Sequence, residues 1–284
     1  MHRFAFLLAF WPAPLLADAP RVITDIAPIH SLAALVMGDL GTADLLLPPG
    51  ADAHDFALRP SDAERLGDAD LVIWVGPELT PWLADPIATL APQATQLPLT
   101  ASANWTPLTT HDGEIDPHGW LDPMIASGWV SDIATALAAA DSENKAVYMA
   151  NADKTVTMLT ALNDDIQSRL RGLDQSGFIV PHDAYSYFES MNDLEHTASI
   201  ADAHAHAPGP GHLSEMRDLV VSNDIVCVFS DAEIGARWVD VVIEGTDART
   251  SVLNGTGAGF DAGPDLYEAM LRQMADAFAQ CLGD

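Results

Sequence analysis

Short apolar runs alternate with longer helical patterns along this chain. Five runs rich in aliphatic or β-branched residues are three to five residues long, which is close to the length of a buried strand. Most of them are followed by a turn signal. They cover residues 21–24, 45–47, 71–75, 178–180 and 225–229. Because strands that alternate with helices indicate βαβ units, we predict an α/β fold with parallel sheets flanked by helices.

A long amphipathic segment separates the first three runs from the last two. Between residues 141 and 173, apolar residues recur at spacings of three and four, which predicts a helix. A chain of 284 residues is long enough for two domains. We therefore expect an N-terminal lobe at 18–140, a stiff connecting helix at 141–173 and a C-terminal lobe at 174–284.

The first residues have the features of a secretory signal. Arg3 is followed by the short apolar run 4–11 and then by Ala17, a small residue that suits cleavage. The run is too short to cross a membrane, and the lack of a cysteine after it argues against a lipoprotein anchor. We predict that signal peptide 1–17 is removed after Ala17 and that the mature protein is exported.

The composition is strongly acidic, with 12 Lys+Arg against 41 Asp+Glu and a formal net charge of −29. Such a surface repels nucleic acid and anionic lipid, so no nucleic-acid partner is expected.

The chain has two cysteines, Cys227 and Cys281. In an oxidising compartment such a pair indicates a disulfide, and two free buried thiols are the alternative.

Three histidines lie in short polar turns next to apolar runs: His54, His118 and His182. A capping box at Ser61 and Glu64 predicts a helix just after His54, which places that residue in a strand-to-helix connection, the ligand-binding edge of open α/β sheets. Each histidine has carboxylates nearby that could accept its second ring N–H. These carboxylates are Asp55 for His54, Asp116 or Asp122 for His118, and Asp183 for His182. A single histidine of this kind is usually a surface or capping residue, but three in such turns favour a shared Zn²⁺ site.

Several segments resemble the periplasmic zinc-binding proteins of ZnuA type, which serve zinc-uptake ABC transporters. They are 50–62 (GADAHDFALRPSD), 69–78 (ADLVIWVGPE), 118–123 (HGWLDP), 182–188 (HDAYSYF), and the cysteine-bearing 227–229 and 281–284. The resemblance covers nearly the whole mature chain, in order. It implies two α/β lobes joined by a rigid helix, Zn²⁺ in the cleft, the three histidines as ligands and a disulfide between the cysteines.

The chain also departs from the pattern of that family. Segment 253–257 has Asn254 where the family often has the Asp of an Asp-Pro-Leu-Gly turn, a ligand in related manganese binders, and Ala53 stands where many zinc binders have an acid. The fourth ligand is therefore open: water is the first expectation, and Asp231 or Glu233 a weaker one. A reduced form of the family's histidine-rich acidic loop contains His111, Asp112, Glu114 and Asp116.

A separate histidine cluster contains His204, His206 and His212 in an irregular Pro/Gly segment. It is either a low-affinity secondary metal site, which collects metal or exchanges it with a partner, or a flexible loop that binds no specific metal.

The function favoured by these observations is that of a monomeric periplasmic solute-binding protein. It would deliver Zn(II) to the permease of a zinc ABC transporter, and a periplasmic metallochaperone is a further candidate partner. The alternatives are a three-histidine zinc hydrolase and a manganese-binding relative. Because three imidazoles favour Zn²⁺ over Mn²⁺, and no HExxH, GxSxG or phosphate-binding glycine loop occurs, we expect neither manganese specificity nor enzyme activity.

Overall fold

The computed structural model describes residues 19–110, 113–173, 176–222 and 225–283. The predicted signal peptide and its cleavage site after Ala17 lie outside these ranges, as do His111 and Asp112. Two parallel four-stranded sheets form the two lobes, in the orders β2-β1-β3-β4 and β6-β5-β7-β8. The strands are β1 Val22–Thr24, β2 Ala43–Leu45, β3 Leu71–Trp74, β4 Thr95–Pro98, β5 Gly177–His182, β6 Ala198–Ala201, β7 Ile225–Ser230 and β8 Arg249–Val252.

Helices flank both sheets, as the alternation of patterns predicted. They are α1 Ala27–Met37, α2 Pro60–Gly67, α3 Ala84–Leu90, α4 Pro123–Ala140, α5 Lys145–Leu170, α6 Ser186–Met191, α7 Pro210–Ser222, α8 Ala236–Ile243 and α9 Leu266–Leu282. Among the described residues, no helix combines the length and the apolar character that a bilayer span requires. The predicted α/β architecture with a long helix between the sheets is confirmed.

The four inner strands β1, β3, β5 and β7 are almost entirely buried, which is why their sequences are continuously apolar. The edge strands β4, β6 and β8 expose part of their side chains and carry no such signal. The run predicted as a strand at 45–47 is shifted, because β2 ends at Leu45 and the next two residues are buried beyond its end.

Two helix boundaries also differ from the sequence-based predictions. The long helix is α5, with 26 residues, and begins and ends inside the predicted range 141–173. The capping box predicted at Ser61 and Glu64 is wrong: α2 starts at Pro60, and Asp62 accepts a hydrogen bond from the backbone of the N-cap residue Arg59 at 3.0 Å. The lobe boundaries at residues 140 and 174 stay predictions.

One large apolar core includes the first sheet, α1, α4, α5 and α9, and continues onto the inner face of the second sheet. There Phe178 and Phe229 contact Phe278 of α9, with ring centroids 5.7 and 4.7 Å away. A second, smaller core lies on the outer face of the second sheet, beneath α7 and α8. The predicted disulfide is present and joins Cys227 of β7 to Cys281 of α9.

Candidate metal centre

The three sequence-predicted histidines converge from three different elements. His54 lies in the loop after β2, His118 directly precedes the 3-10 turn Gly119–Leu121 that leads into α4, and His182 is the last residue of β5. Each residue offers one ligand atom, and these three atoms lie within 4.8 Å of one another. Ring centroids are 5.7 Å apart for His54–His118 and His118–His182, and 6.4 Å apart for His54–His182.

His118 is oriented by a carboxylate two residues away. Its Nδ1 lies 2.7 Å from Oδ1 of Asp116, which also accepts the backbone N–H of His118, and both residues are buried. Since an ionised carboxylate only accepts, Nδ1 carries the proton and the lone pair is on Nε2. Burial lowers the pKa of His118, and Asp116 only partly opposes this effect, so the ring is neutral. Of the two predicted partners, Asp122 instead caps α4 through the backbone N–H of Met124.

His182 is oriented by a carboxylate that is distant in sequence, Asp231, rather than by its neighbour Asp183. Its Nδ1 lies 2.8 Å from Oδ2 of Asp231, which follows β7, and this oxygen also accepts the hydroxyl of Tyr185 at 3.0 Å. The other oxygen of Asp231 accepts the backbone N–H groups of Glu233 and Ile234. The predicted partner Asp183 is therefore wrong for this role.

Glu233 brings a second buried carboxylate to the same imidazole. Its Oε2 lies 3.4 Å from Nε2 of His182, its side chain is only 6% exposed, and that oxygen has no hydrogen-bond partner among the described residues. Burial raises the pKa of Glu233 to about 7. Burial alone would lower the pKa of His182, but the hydrogen bond and charge of Asp231, assisted by Glu233, raise it to about 9.

His54 has a different environment. Oδ1 of Asp52 accepts the backbone N–H groups of His54 and Asp55 at 2.8 and 3.3 Å and so fixes the turn. The Nδ1 atom of His54 is buried and has no hydrogen-bond partner among the described residues, so the predicted pairing with Asp55 is wrong. Burial and the neighbouring imidazoles lower the pKa of His54 to about 2, which keeps the ring neutral.

A small cavity of about 20 Å³ is lined by the three histidines, Trp120, Asp231, Glu233 and Asn254. It accommodates an ion and about one water molecule. The amide of Asn254 is engaged elsewhere: its Nδ2 donates to the backbone of Ala258 and to Gln273, and its Oδ1 accepts from Ala258. Asn254 therefore fixes the loop beside the cavity.

The predicted secondary cluster is only partly assembled. The ring of His204 lies 5.5 Å from that of His54 and 5.8 Å from that of His206. His212 instead belongs to α7 and lies 3.2 Å from the carbonyl oxygen of Ser199. Among the described residues, no group of three close metal-ligating side chains contains any of these histidines.

The predicted reduced acidic loop is also divided. Asp116 is buried beneath His118, whereas Glu114 is exposed and its Oε2 lies 3.4 Å from Nε2 of His204. Asp116 therefore orients His118 and does not collect ions at the surface.

Comparison with known proteins places the chain in a family. The family model described as zinc-uptake complex component A, periplasmic (ZnuA) matches residues 22–281. The high-affinity zinc uptake system protein ZnuA of Paracoccus denitrificans is 36% identical, over 95% of this chain and 94% of its own length. The protein of the same name from Brucella abortus is 31% identical, over 98% of this chain and 96% of its own length.

Solved structures show the same fold. A ZnuA crystal structure superposes with a TM-score of 0.82 at 23% identity, covering 94% of this chain and 100% of the other. The SBP FpvC of Pseudomonas aeruginosa, in complex with Mn²⁺, gives a TM-score of 0.83 at 24% identity, covering 93% of this chain and 98% of the other. The family match spans both sheets and all three converging histidines. The chain belongs to the ZnuA family of periplasmic zinc-uptake components.

Proposed function

We propose that this chain captures Zn²⁺ in the periplasm and delivers it to the membrane permease of a zinc-uptake ABC transporter. The observation that carries the proposal is the convergence of three imidazoles, from both lobes, on one small cavity. Zinc is commonly bound by imidazole nitrogens, whereas Mn²⁺ and Ca²⁺ prefer oxygen ligands. The family match and the names of the relatives agree with this cargo.

The ligands in this proposal are His54, His118 and His182. Nε2 is the available nitrogen of His118 and of His182, because in each ring Nδ1 is held by a carboxylate. Such carboxylates fix the orientation of a metal-bound imidazole and raise its basicity. Asp116 and Asp231 are the two supporting carboxylates.

We further propose Glu233 as the fourth ligand, in place of water. Its Oε2 is buried, lacks a hydrogen-bond partner and lies at the Nε2 side of His182, where an ion would bind. Asp231 is less suitable because both of its oxygens already accept hydrogen bonds. Three imidazoles and one carboxylate complete a tetrahedral site and leave no open position for a reactive water, so the proposed centre carries zinc and does not catalyse hydrolysis.

We also propose that the protein is exported to the periplasm and that its signal peptide is cleaved after Ala17. The mature protein is then a monomer that delivers zinc to a permease. Loading by a periplasmic metallochaperone is compatible with the exposed histidines near the cavity, but nothing in the proposal requires it.

The principal experiment is a zinc titration of the mature protein beside the triple variant His54→Ala, His118→Ala, His182→Ala. One tight equivalent of zinc is expected for the wild type and none for the variant. The apparent free energy of a four-ligand zinc site is about 10–16 kcal/mol, so each lost ligand removes roughly 3 kcal/mol. Circular dichroism checks that the variant is folded. Tight zinc binding that survives in the folded variant would contradict the ligand set, and hydrolysis of ester or phosphate substrates by the zinc-loaded wild type would contradict the carrier function.

Glu233→Gln tests the fourth ligand in a chelator competition assay. If Glu233 coordinates, zinc affinity falls about a hundredfold, because an anionic donor is replaced by a weak neutral one. Glu244→Gln is the matched control, since Glu244 carries the same charge in the same lobe but pairs with Arg217 at the surface. A Glu233→Gln protein that binds zinc like this control would return water to the fourth position.

A further inference from the structure

The three proposed ligand histidines differ in what orients their rings. Nδ1 of His118 lies 2.7 Å from Oδ1 of Asp116, and Nδ1 of His182 lies 2.8 Å from Oδ2 of Asp231. His54 has no such carboxylate, because its Nδ1 is buried and has no hydrogen-bond partner among the described residues. A metal-bound imidazole usually has an outer partner, so the orientation of His54 needs a different source.

The backbone around His54 is held on both sides of its peptide bond with Ala53. The carbonyl oxygen of this peptide accepts the indole N–H of Trp82 at 2.8 Å. Its N–H group donates to Oδ1 of Asp52, also at 2.8 Å, and the same oxygen accepts the backbone N–H of Asp55 at 3.3 Å. Because a peptide unit is planar, fixing its oxygen and its N–H fixes the plane that contains the α-carbon of His54.

Trp82 is the link between this segment and the rest of its lobe. Residues 46–59, which we call the His54 loop, connect β2 to α2. Within the described ranges, no hydrogen bond except the one from Trp82 joins residues 48–58 to another element. The ring of Trp82 also packs against Phe56 of the same loop, with centroids 5.3 Å apart. Trp82 therefore contacts the His54 loop on both sides of the histidine.

The support beneath Trp82 is itself fixed. Trp82 belongs to the short 3-10 turn between β3 and α3. At the end of β3, the buried carboxylate of Asp25 accepts the backbone N–H of Val75 at 2.8 Å. The N–H and the hydroxyl of Thr80 donate to the carbonyl oxygen of Gly76 at 3.0 and 3.3 Å. The indole is thus attached to the sheet and gives the loop a fixed point of contact.

We propose that Trp82 is the positioning residue of His54, and that it acts by fixing, together with Asp52, the peptide bond that precedes this ligand. The inference rests on the zinc function proposed above. The indole N–H has the role that Asp116 and Asp231 have for the other two ligands, but it acts on the backbone and adds no charge. A loop that is free to rotate at this peptide would hold His54 at the ion for only part of the time, and the zinc affinity would fall by that fraction.

Trp82→Phe tests the proposal, because it keeps an aromatic ring next to Phe56 and removes the N–H. The zinc Kd, measured by chelator competition, is expected to rise about tenfold, which is the effect of one hydrogen bond. Trp238→Phe is the matched control. Trp238 is half-buried in the C-terminal lobe, where its ring contacts Arg237, and the wild-type Kd is expected for this variant.

A variant without His54 separates positioning from general stability. In a His54→Ala background, where a weaker chelator is used, Trp82→Phe should not change the zinc Kd further, because no ring is left to position. A tenfold loss that persists in this background would show that Trp82 acts on the lobe as a whole, and the positioning role would be refuted.

Asp52 provides a second test that does not depend on the folding of the Trp82 variant. Asp52→Ala removes the acceptor of the His54 N–H at an exposed position, and the zinc Kd should again rise about tenfold. Asp52→Asn removes the charge but keeps an oxygen acceptor, so it should retain most of the affinity. Equal losses for the two variants would show that the charge of Asp52, and not the held peptide, supports zinc binding, which would overturn the proposed mechanism.

The failure of this inference can be distinguished from the failure of the zinc function. A wild type that binds no tight equivalent of zinc would refute the carrier itself. A wild type that binds zinc tightly, with an unchanged Kd in both Trp82→Phe and Asp52→Ala, would refute only the role of Trp82 and leave the carrier in place.

Discussion

The two lobes support their buried histidines in different ways. In the N-terminal lobe, His118 is held by Asp116, a residue of the same loop, at 2.7 Å. In the C-terminal lobe, His182 is held by Asp231, which is 49 positions away and follows a neighbouring strand, at 2.8 Å. The distances are nearly equal, but one pair is built locally and the other needs the sheet to form first.

The charge around the two imidazoles differs more than their geometry does. His118 has one carboxylate in hydrogen-bond contact, and burial lowers its pKa. His182 is also buried, but Asp231 and Glu233 together raise its pKa to about 9. In the metal-free protein at neutral pH, the first ring is thus ready to coordinate and the second must lose a proton. The same orienting interaction therefore produces two different protonation states.

The largest expected effect concerns the disulfide, which only the C-terminal lobe contains. It joins β7, the strand that leads to Asp231, to α9 and closes a loop with a sequence separation of 54. Removing it with Cys227→Ala, Cys281→Ala should lower the free energy of unfolding by about 4 kcal/mol, measured by urea denaturation. Reductant should destabilise the wild type and leave this variant unchanged. A loss below about 1 kcal/mol would show that the lobe does not depend on the crosslink.

A smaller effect is expected from the supporting carboxylates. Asp231→Asn should weaken zinc binding about 10- to 100-fold, as the loss of an outer partner of a metal-bound histidine typically does. Asp116→Asn should weaken zinc binding less. The carboxylate of Asp231 accepts hydrogen bonds from four groups, whereas Asp116 only holds His118 within a single loop. Chelator competition measures both affinities. Equal losses would mean that the local and the long-range pairs contribute alike.

The smallest effect concerns pH. At about pH 7, zinc binding should release about one proton from His182 and a further fraction of a proton from Glu233, whose pKa is about 7. Above about pH 7, zinc affinity should rise up to tenfold per pH unit until about pH 9. Calorimetry in two buffers with different ionisation enthalpies counts the protons. In the metal-free protein the raised pKa of His182 stabilises the fold at lower pH, and this contribution is lost as the pH rises through about 9. Zinc binding that releases no proton near neutral pH would show that His182 is neutral, like His118.

The parts of the fold and of the site that could be predicted from the sequence are those with local signals. The inner strands β1, β3, β5 and β7 are buried and continuously apolar, whereas polar edge strands such as Thr95–Pro98 resemble loops. Asp116 could be assigned to His118 because the two are neighbours in sequence. Asp231 could not be assigned to His182, because only the pairing of β5 with β7 brings them together. The nearby Asp183 was the obvious but wrong choice.

The proximity of His204 to His54 had no sequence signal either. Their segments belong to different lobes, and their separation is set by how the two sheets are placed around the cleft. The spacing His-x-His at 204–206 identified a cluster but could not exclude His212, which the start of α7 directs to Ser199.

The apolar core that continues from the first sheet through α4, α5 and α9 to the second sheet has a consequence for the speed of metal exchange. Helix α9, which the disulfide joins to β7, also packs against α1 and α5. Swinging the lobes apart would bring apolar side chains of this packing into water, so a wide hinge opening is disfavoured. The ion then escapes when surface loops move, which occurs in nanoseconds to microseconds, rather than when whole domains rotate in microseconds to milliseconds. The residence time of zinc would therefore be set by how strongly its ligands hold it, and a receiving membrane protein would need to disturb only the loops.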